Sequence, residues 1–145
     1  MNIAQCISYI GPFWHARMGA NESALRDMET YSGLSLPADY KEFMKWSDGG
    51  AGSIKNIYLS MWSLSQLIEL NENYKINGYL GERVIAIGSD GGPICFLLDY
   101  RLSKEPKFSS VNFGDLDPQE IKELAPSFEA AITLAISGKI VGDNL

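Results

Sequence analysis

Residues 84–101, VIAIGSDGGPICFLLDYR, limit what this chain can fold into more than any other stretch. Two apolar runs, 84–87 and 94–98, flank Gly88-Ser89-Asp90-Gly91-Gly92-Pro93. Runs of this length, rich in β-branched residues and bounded by glycine and proline, read as strands joined in a hairpin. Neither run alternates apolar with polar, so both strands are expected to be covered on both faces, near the middle of a sheet. Gly88, Gly91 and Gly92 permit positive φ, and Asp90 can fold its carboxylate back onto the N–H groups of the turn.

Helical signals precede and follow this hairpin. Residues 3–10 read as a short helix ended by Gly11-Pro12, with Phe13 and Trp14 anchoring the segment against the body. Asn21 caps a helix that runs through Tyr31 and is closed by Gly33. Leu36-Pro37 opens the next, since proline is tolerated at the first helical position and Asp39 suits the helix dipole. Tyr40, Phe43, Met44 and Trp46 give that helix an apolar stripe, and Asp48-Gly49-Gly50 stops it, with 51–56 read as a loop. A strand is expected over 57–62. Ser63, with Gln66 at capping-box spacing, then opens a helix over Leu64, Leu67, Ile68, Asn71 and Tyr74, ended by Asn77-Gly78.

Beyond the hairpin, 101–106 is loop-like and 107–113 (KFSSVNF) reads as an alternating strand. Asp117-Pro118 with Glu120 begins a short helix. Pro126-Ser127 begins the last one, through Ile136, with Phe128, Ala131, Ile132 and Ala135 on one face. Gly138 ends it, and 139–145 is expected to be a frayed tail. Helices first, strands in the middle and helices again favour an α+β domain with a mainly antiparallel sheet flanked by helices. The expected organisation is an N-terminal extension over 1–20, packed on a single domain over 21–145.

A chain of 145 residues with 46% hydrophobic and 21% charged residues suits one folded domain. Its net charge of −6 argues against the basic footprint needed for direct nucleic-acid binding, and suits a basic partner. Cys6 and Cys95 make no disulfide framework, and two free thiols are expected. The amino terminus lacks a basic leader, and its apolar run is interrupted at Gly11-Pro12. Neither a signal peptide nor a membrane span is expected, which places the protein in the cytoplasm.

Candidates for chemistry are sparse. Ser-Asp-Gly-Gly occurs twice, at 47–50 and 89–92. Asp48 and Asp90 could form a carboxylate pair for acid–base or metal chemistry, but turns select aspartate and glycine for their own reasons. Gly50-Ala51-Gly52-Ser53 lacks the later glycine of a dinucleotide fingerprint, and Gly138-Lys139 is followed by Ile140 where a P-loop needs Ser or Thr. Ser89 is no nucleophile elbow, because Ile87 stands where the first glycine belongs. His15, the one histidine, would have to serve any Ser-His-Asp or Cys-His site. Neither a metal site nor a cofactor is expected.

Three blocks together resemble the SMI1/KNR4 family of the SUKH superfamily. The first is Leu36-Pro37-Ala38-Asp39-Tyr40-Lys41-Glu42-Phe43, continuing to Trp46 and Asp48-Gly49-Gly50. The second is IAIGSDGGPICFLLD, residues 85–99, and the third is Ala125-Pro126-Ser127-Phe128-Glu129. Trp62-Ser63-Leu64 followed by Leu67 is similar to the family's strand-to-helix turn. Pro93 departs from a usual third glycine, Ala130-Ala131 stand where Glu-Phe is common, and the first twenty residues have no clear counterpart.

The resemblance implies an α+β fold and a non-enzymatic role. Bacterial members resemble immunity proteins that neutralise toxin domains, often nucleases, and fungal members regulate cell-wall synthesis and signalling. On this reading Pro37, Tyr40, Trp46, Gly49, Gly50, Gly88, Gly91, Gly92 and Asp99 are structural. Asp48, Glu82, Asp90 and Asp115, near the loops, are the expected contacts to a protein toxin, a basic one by charge. Two readings stand beside it: a regulatory scaffold without a toxin partner, and a small hydrolase or metal-dependent enzyme using Asp48, Asp90 and His15.

Overall fold

Strands β4 (Val84–Ser89) and β5 (Ile94–Asp99) occupy the fourth and fifth places of a seven-stranded antiparallel sheet ordered β1 to β7. The computed structural model describes residues 1–145, the side chain of Asp143 excepted. The other strands are β1 (Trp14–His15), β2 (Gly50–Ile54), β3 (Ile57–Met61), β6 (Lys107–Asn112) and β7 (Lys122–Ala125). The helices are α1 (Ile3–Ile10), α2 (Glu22–Ser32), α3 (Ala38–Trp46), α4 (Leu64–Asn73), α5 (Ile76–Leu80) and α6 (Phe128–Ile136). This is the α+β architecture expected. As the unbroken apolar runs require, residues 84–88 and 95–99 of the central hairpin are buried.

The helix boundaries follow their caps. The Asn21 side chain accepts from the Ala24 N–H, and Gly33 closes α2 in the left-handed region at φ 72°. Ser63 and Gln66 form a reciprocal capping box, and Ser127 caps α6. Pro37 stands one residue before α3 rather than in its first turn. One face of the sheet packs under an aromatic relay in which Phe43 meets Trp14, Trp46 and Phe128 at centroid distances of 5.5, 5.4 and 5.3 Å. Phe128 in turn meets Phe108 at 6.2 Å, and Phe108 meets Phe96 at 5.3 Å. Edge-to-face and tilted pairs of this kind join α3 and α6 to β1, β5 and β6.

Several expectations are corrected. Residues 50–54 are a strand, not a loop: β2 pairs with β3 from Gly50↔Met61 to Ile54↔Ile57 and with β1 at Gly52 and Ala51. Its sequence, GAGSI, carries too few side chains to show a period. Of Gly88, Gly91 and Gly92, only Gly91 has positive φ, at 83°. Gly88 belongs to β4, where a Cβ would lie 2.3 Å from the Ser60 carbonyl oxygen, so glycine there permits close approach of strands.

The helix after Ser63 does not run on to Asn77-Gly78. It breaks at Lys75, which has φ 55°, and Asn77 and Gly78 lie inside α5. Residues 118–120 form a single 3-10 turn, and β7 follows unannounced. Phe108, Ser109, Ser110 and Val111 are all buried, so β6 is covered on both faces rather than alternating. Phe13 is 57% exposed and meets Tyr9 of its own segment, at 6.2 Å, whereas Trp14 is buried and its indole N–H donates to the Gly49 carbonyl at 3.2 Å. The tail is not frayed throughout, because Ile140 is buried.

Candidate interaction surface

The two Ser-Asp-Gly-Gly segments do different work. At the first, the Asp48 Oδ1 accepts the Leu64 N–H at 2.8 Å and so satisfies an open donor at the start of α4. Ser47 Oγ donates to the Gly49 carbonyl at 2.6 Å and accepts the Arg17 N–H at 2.9 Å. Gly49, at φ 81°, is the residue that brings the two parts together: a Cβ there would lie 2.6 Å from the Met61 oxygen and 2.7 Å from the Ser63 nitrogen. Gly50, the first residue of β2, faces the Trp14 ring in the same way. This corner ties α3, α4, β1 and β2 into one unit.

At the second segment Asp90 Oδ1 accepts the Gly92 and Ile94 N–H groups, at 2.9 and 3.1 Å. The carboxylate folds back on its turn as expected, and Oδ2 has no protein partner among the described residues. Other acidic groups are held similarly. Asp39 accepts from the Glu129 N–H at 2.8 Å, Glu129 from the Ile3 N–H at 2.7 Å, and Glu29 from the Leu36 N–H at 2.7 Å. Asp99 takes Arg101 in a two-pronged pair, with Nη2 to Oδ2 at 2.9 Å.

The four carboxylates nominated from the sequence fall in three places. Asp48 is half-buried and engaged with Leu64. Glu82 is exposed just before β4, where that strand pairs with the end of β5. Asp90 and Asp115 both lie at the opposite end of the sheet, roughly 20 Å of strand away. The register that joins them is Ile94↔Asn112, with the Asp115 N–H donating to the Asn112 carbonyl at 3.0 Å and the Phe113 N–H to the Pro93 carbonyl at 2.9 Å. His15 is exposed on β1 opposite Ala51. Among the described residues no three His, Cys, Asp or Glu side chains gather closely enough to hold a metal ion.

What sequence reasoning missed is the aromatic character of the Asp90 corner. The cross-strand pairs place Ser60, Ser89, Cys95 and Val111 on one face. Trp62 and Phe113, just past β3 and β6, continue that face and meet Tyr74 at the end of α4. Tyr74 stacks on Phe113 at 4.6 Å and on Trp62 at 6.5 Å, and Trp62 lies 6.3 Å from Phe113. Tyr58, on the same face, has ring atoms 3.0 Å and 3.1 Å from where a Gly91 Cβ would stand. Trp62 is 8% exposed, while Tyr74 and Tyr58 are 40% and 45% exposed. On the opposite face of the same sheet end, the side of Ile94, Ser110, Asn112 and Lys122, lies a hollow of about 240 Å³ whose walls also include Asp115 and Glu120. The signal in the sequence is that Tyr58 and Trp62 stand four residues apart, on one face of a strand; that Phe113 joins them follows only from the register.

The family model described as the SMI1 / KNR4 family (SUKH-1) matches residues 19–133, so that α1 and β1 fall outside the match. Among curated proteins none matches the chain.

Proposed function

The chain belongs to the SMI1/KNR4 family (SUKH-1), and from that premise we propose that it is a non-enzymatic protein-binding module of the immunity type, occluding a cognate protein toxin in the cytoplasm. The observation that carries this reading is how the motif's polar groups are used. Ser47, Asp48 and Asp39 have their side chains engaged with backbone N–H and C=O groups of neighbouring elements. The motif's polar chemistry therefore serves the scaffold, and the exterior is left to recognise a partner. Among the described residues no helix is long and apolar enough to cross a membrane.

The net charge of −6 sets the partner's chemistry as basic, a nuclease domain being the obvious kind. Exposed carboxylates would steer encounter with such a domain, Glu82 through its field and Asp90 and Asp115 at closer range. The first twenty residues are an extension that adds α1 over α6 and β1 to the sheet. The test is co-expression with the toxic domain of a candidate toxin encoded by a neighbouring gene, where one is found. Rescue of growth and a stable complex on a sizing column are expected, and failure of both removes the claim. Association should slow as salt rises; a salt-independent on-rate would reject steering while leaving binding intact.

A further inference from the structure

We infer that the outer face of α1, together with Phe13 just beyond it, is a self-association surface that takes the same face of a second copy of this chain. It goes beyond the toxin reading and does not rest on it, since none of Asp48, Glu82, Asp90 or Asp115 belongs to this face.

Three observations carry it. First, α1 is uncharged on both sides. Ile3, Cys6 and Ile10 are buried where the helix packs on α6 and α3. The other side of a surface helix ordinarily carries charge, yet here the exposed residues are Asn2, Ala4, Gln5, Ser8 and Tyr9. A shallow groove of about 510 Å³ runs along them. Tyr9 closes one end of it and meets Phe13 at 6.2 Å, with the two rings 38% and 57% exposed. Caps at Asn2 and Gly11 hold the helix in place, so these rings are offered at little further entropic cost. Second, charge sets the face apart. All 18 Asp and Glu side chains lie in 22–145, and Arg17 is the only Lys or Arg before them. Glu129 reaches the start of α1, where its Oε1 is engaged with the Ile3 N–H at 2.7 Å. Two chains of net charge −6 repel each other, and they meet at least cost where neither brings acids. Third, the face fits itself. Gln5, Tyr9 and Phe13 stand at spacings of four and make a ridge, beside the smaller Ala4 and Ser8. In an antiparallel pair about a two-fold axis, the Tyr9 ridge of each protomer falls on the Ala4 and Ser8 side of the other. A lipid surface fits less well, because helices that lie on membranes carry several cations and only Arg17 follows this one. The helix is short, so the pair is a transient one, below the about 1,200 Å² of stable interfaces.

The experiment is sedimentation equilibrium on the full chain, from about 10 μM to about 1 mM, at low and at moderate salt. The mean mass is expected to climb from that of one chain towards that of two, and to climb further in salt, which screens the like charges. Tyr9→Glu and Phe13→Glu, each checked for an unchanged melting temperature, should weaken self-association at least tenfold. Tyr79→Glu, which alters an exposed ring on α5, should leave it as in wild type. In labelled wild type, amide shifts that grow with concentration should centre on residues 4–13. A chain that stays monomeric at the highest concentration overturns the proposal. So does self-association that Tyr9→Glu and Phe13→Glu leave intact, or concentration-dependent shifts centred elsewhere. A monomeric chain that floats with phosphatidylcholine vesicles, and ceases to in Phe13→Glu, would overturn it in favour of a lipid surface.

Discussion

The side-chain amide of Asn71 makes both backbone hydrogen bonds of Ala86: its Nδ2 donates to the Ala86 carbonyl at 2.8 Å, and the Ala86 N–H donates to its Oδ1 at 3.0 Å. β3 pairs with β4 only at Ser60↔Ser89 and Met61↔Gly88, after which the Trp62 N–H reaches the Ile87 carbonyl and the chain turns into α4. The edge of β4 would be bare from there on. One buried amide on α4 takes the place of a strand, and it also donates to the Leu67 carbonyl of its own helix.

Asn71→Leu should therefore destabilise the protein severely for a change that keeps the number and branching of the side chain's heavy atoms. It leaves a buried N–H and a buried C=O without partners, and each such group costs about 1–3 kcal/mol. A loss of about 3 kcal/mol, read as a lower urea midpoint with an unchanged slope, is the expected result. A loss below about 1 kcal/mol would show that water reaches the β4 edge.

Gly49 and Gly91 have nearly the same φ, 81° and 83°, and should respond differently to alanine. At Gly91 the Cβ meets only the ring of Tyr58, a half-exposed side chain that can swing away. At Gly49 it meets the Met61 and Ser63 backbone, which cannot move without breaking the start of α4. Gly91→Ala is expected to cost about 1 kcal/mol from φ alone, and Gly49→Ala at least twice that. Thermal unfolding of the two variants side by side checks the order.

Asp48 separates a scaffold role from a binding role. Asp48→Ala removes the acceptor for the Leu64 N–H and should cost about 1 kcal/mol, with Asp48→Asn costing less because it retains an acceptor oxygen. Neither should lower affinity for a toxin that wild type binds, provided both are assayed where they are fully folded. A loss of affinity in Asp48→Asn without a loss of stability would return this residue to the interface.

Much of this fold could be read ahead of the structure because it is written in local chemistry. Asn21, Ser63 with Gln66, and Ser127 each mark a helix start through a bond that spans three residues. The parts that could not be read depend on partners far away in sequence. β2 is nearly side-chain-free and becomes a strand only because β1 and β3 lie on either side of it. KELA at 122–125 has the composition of a helix and forms an edge strand because β6 offers it an open side. Asn71 reads as one more polar residue on a helix. That Asp90 and Asp115 lie at the same end of the sheet follows from a register that no single segment encodes.

Tyr40 poses the most direct question about stability. Its ring is fully buried against Phe128, and its hydroxyl has no hydrogen-bond partner. Burial first, then the Asp48 charge and Tyr100, push this phenol well above the usual tyrosine range. Burial likewise pushes the Cys95 thiol up to about 12, and burial followed by the charges of Glu29, Glu105 and Asp39 raises Tyr100. All three groups are neutral when protonated and keep their protons more firmly in the folded chain. Above the ordinary thiol value of 9.0 and the ordinary phenol value of 10.0 the unfolded chain loses protons that the folded chain retains. The unfolded state then binds fewer protons, so stability falls as pH rises, by up to about 1.4 kcal/mol per pH unit for each group. These groups contribute no slope below about pH 8, and the urea midpoint should drop steeply above pH 10. Tyr40→Phe should make that drop shallower. At pH 7 it should also leave the protein as stable or more so, by about 1 kcal/mol, because the hydroxyl it removes is desolvated without a compensating bond. A Tyr40→Phe protein clearly weaker than wild type at pH 7 would mean instead that an internal water satisfies the hydroxyl.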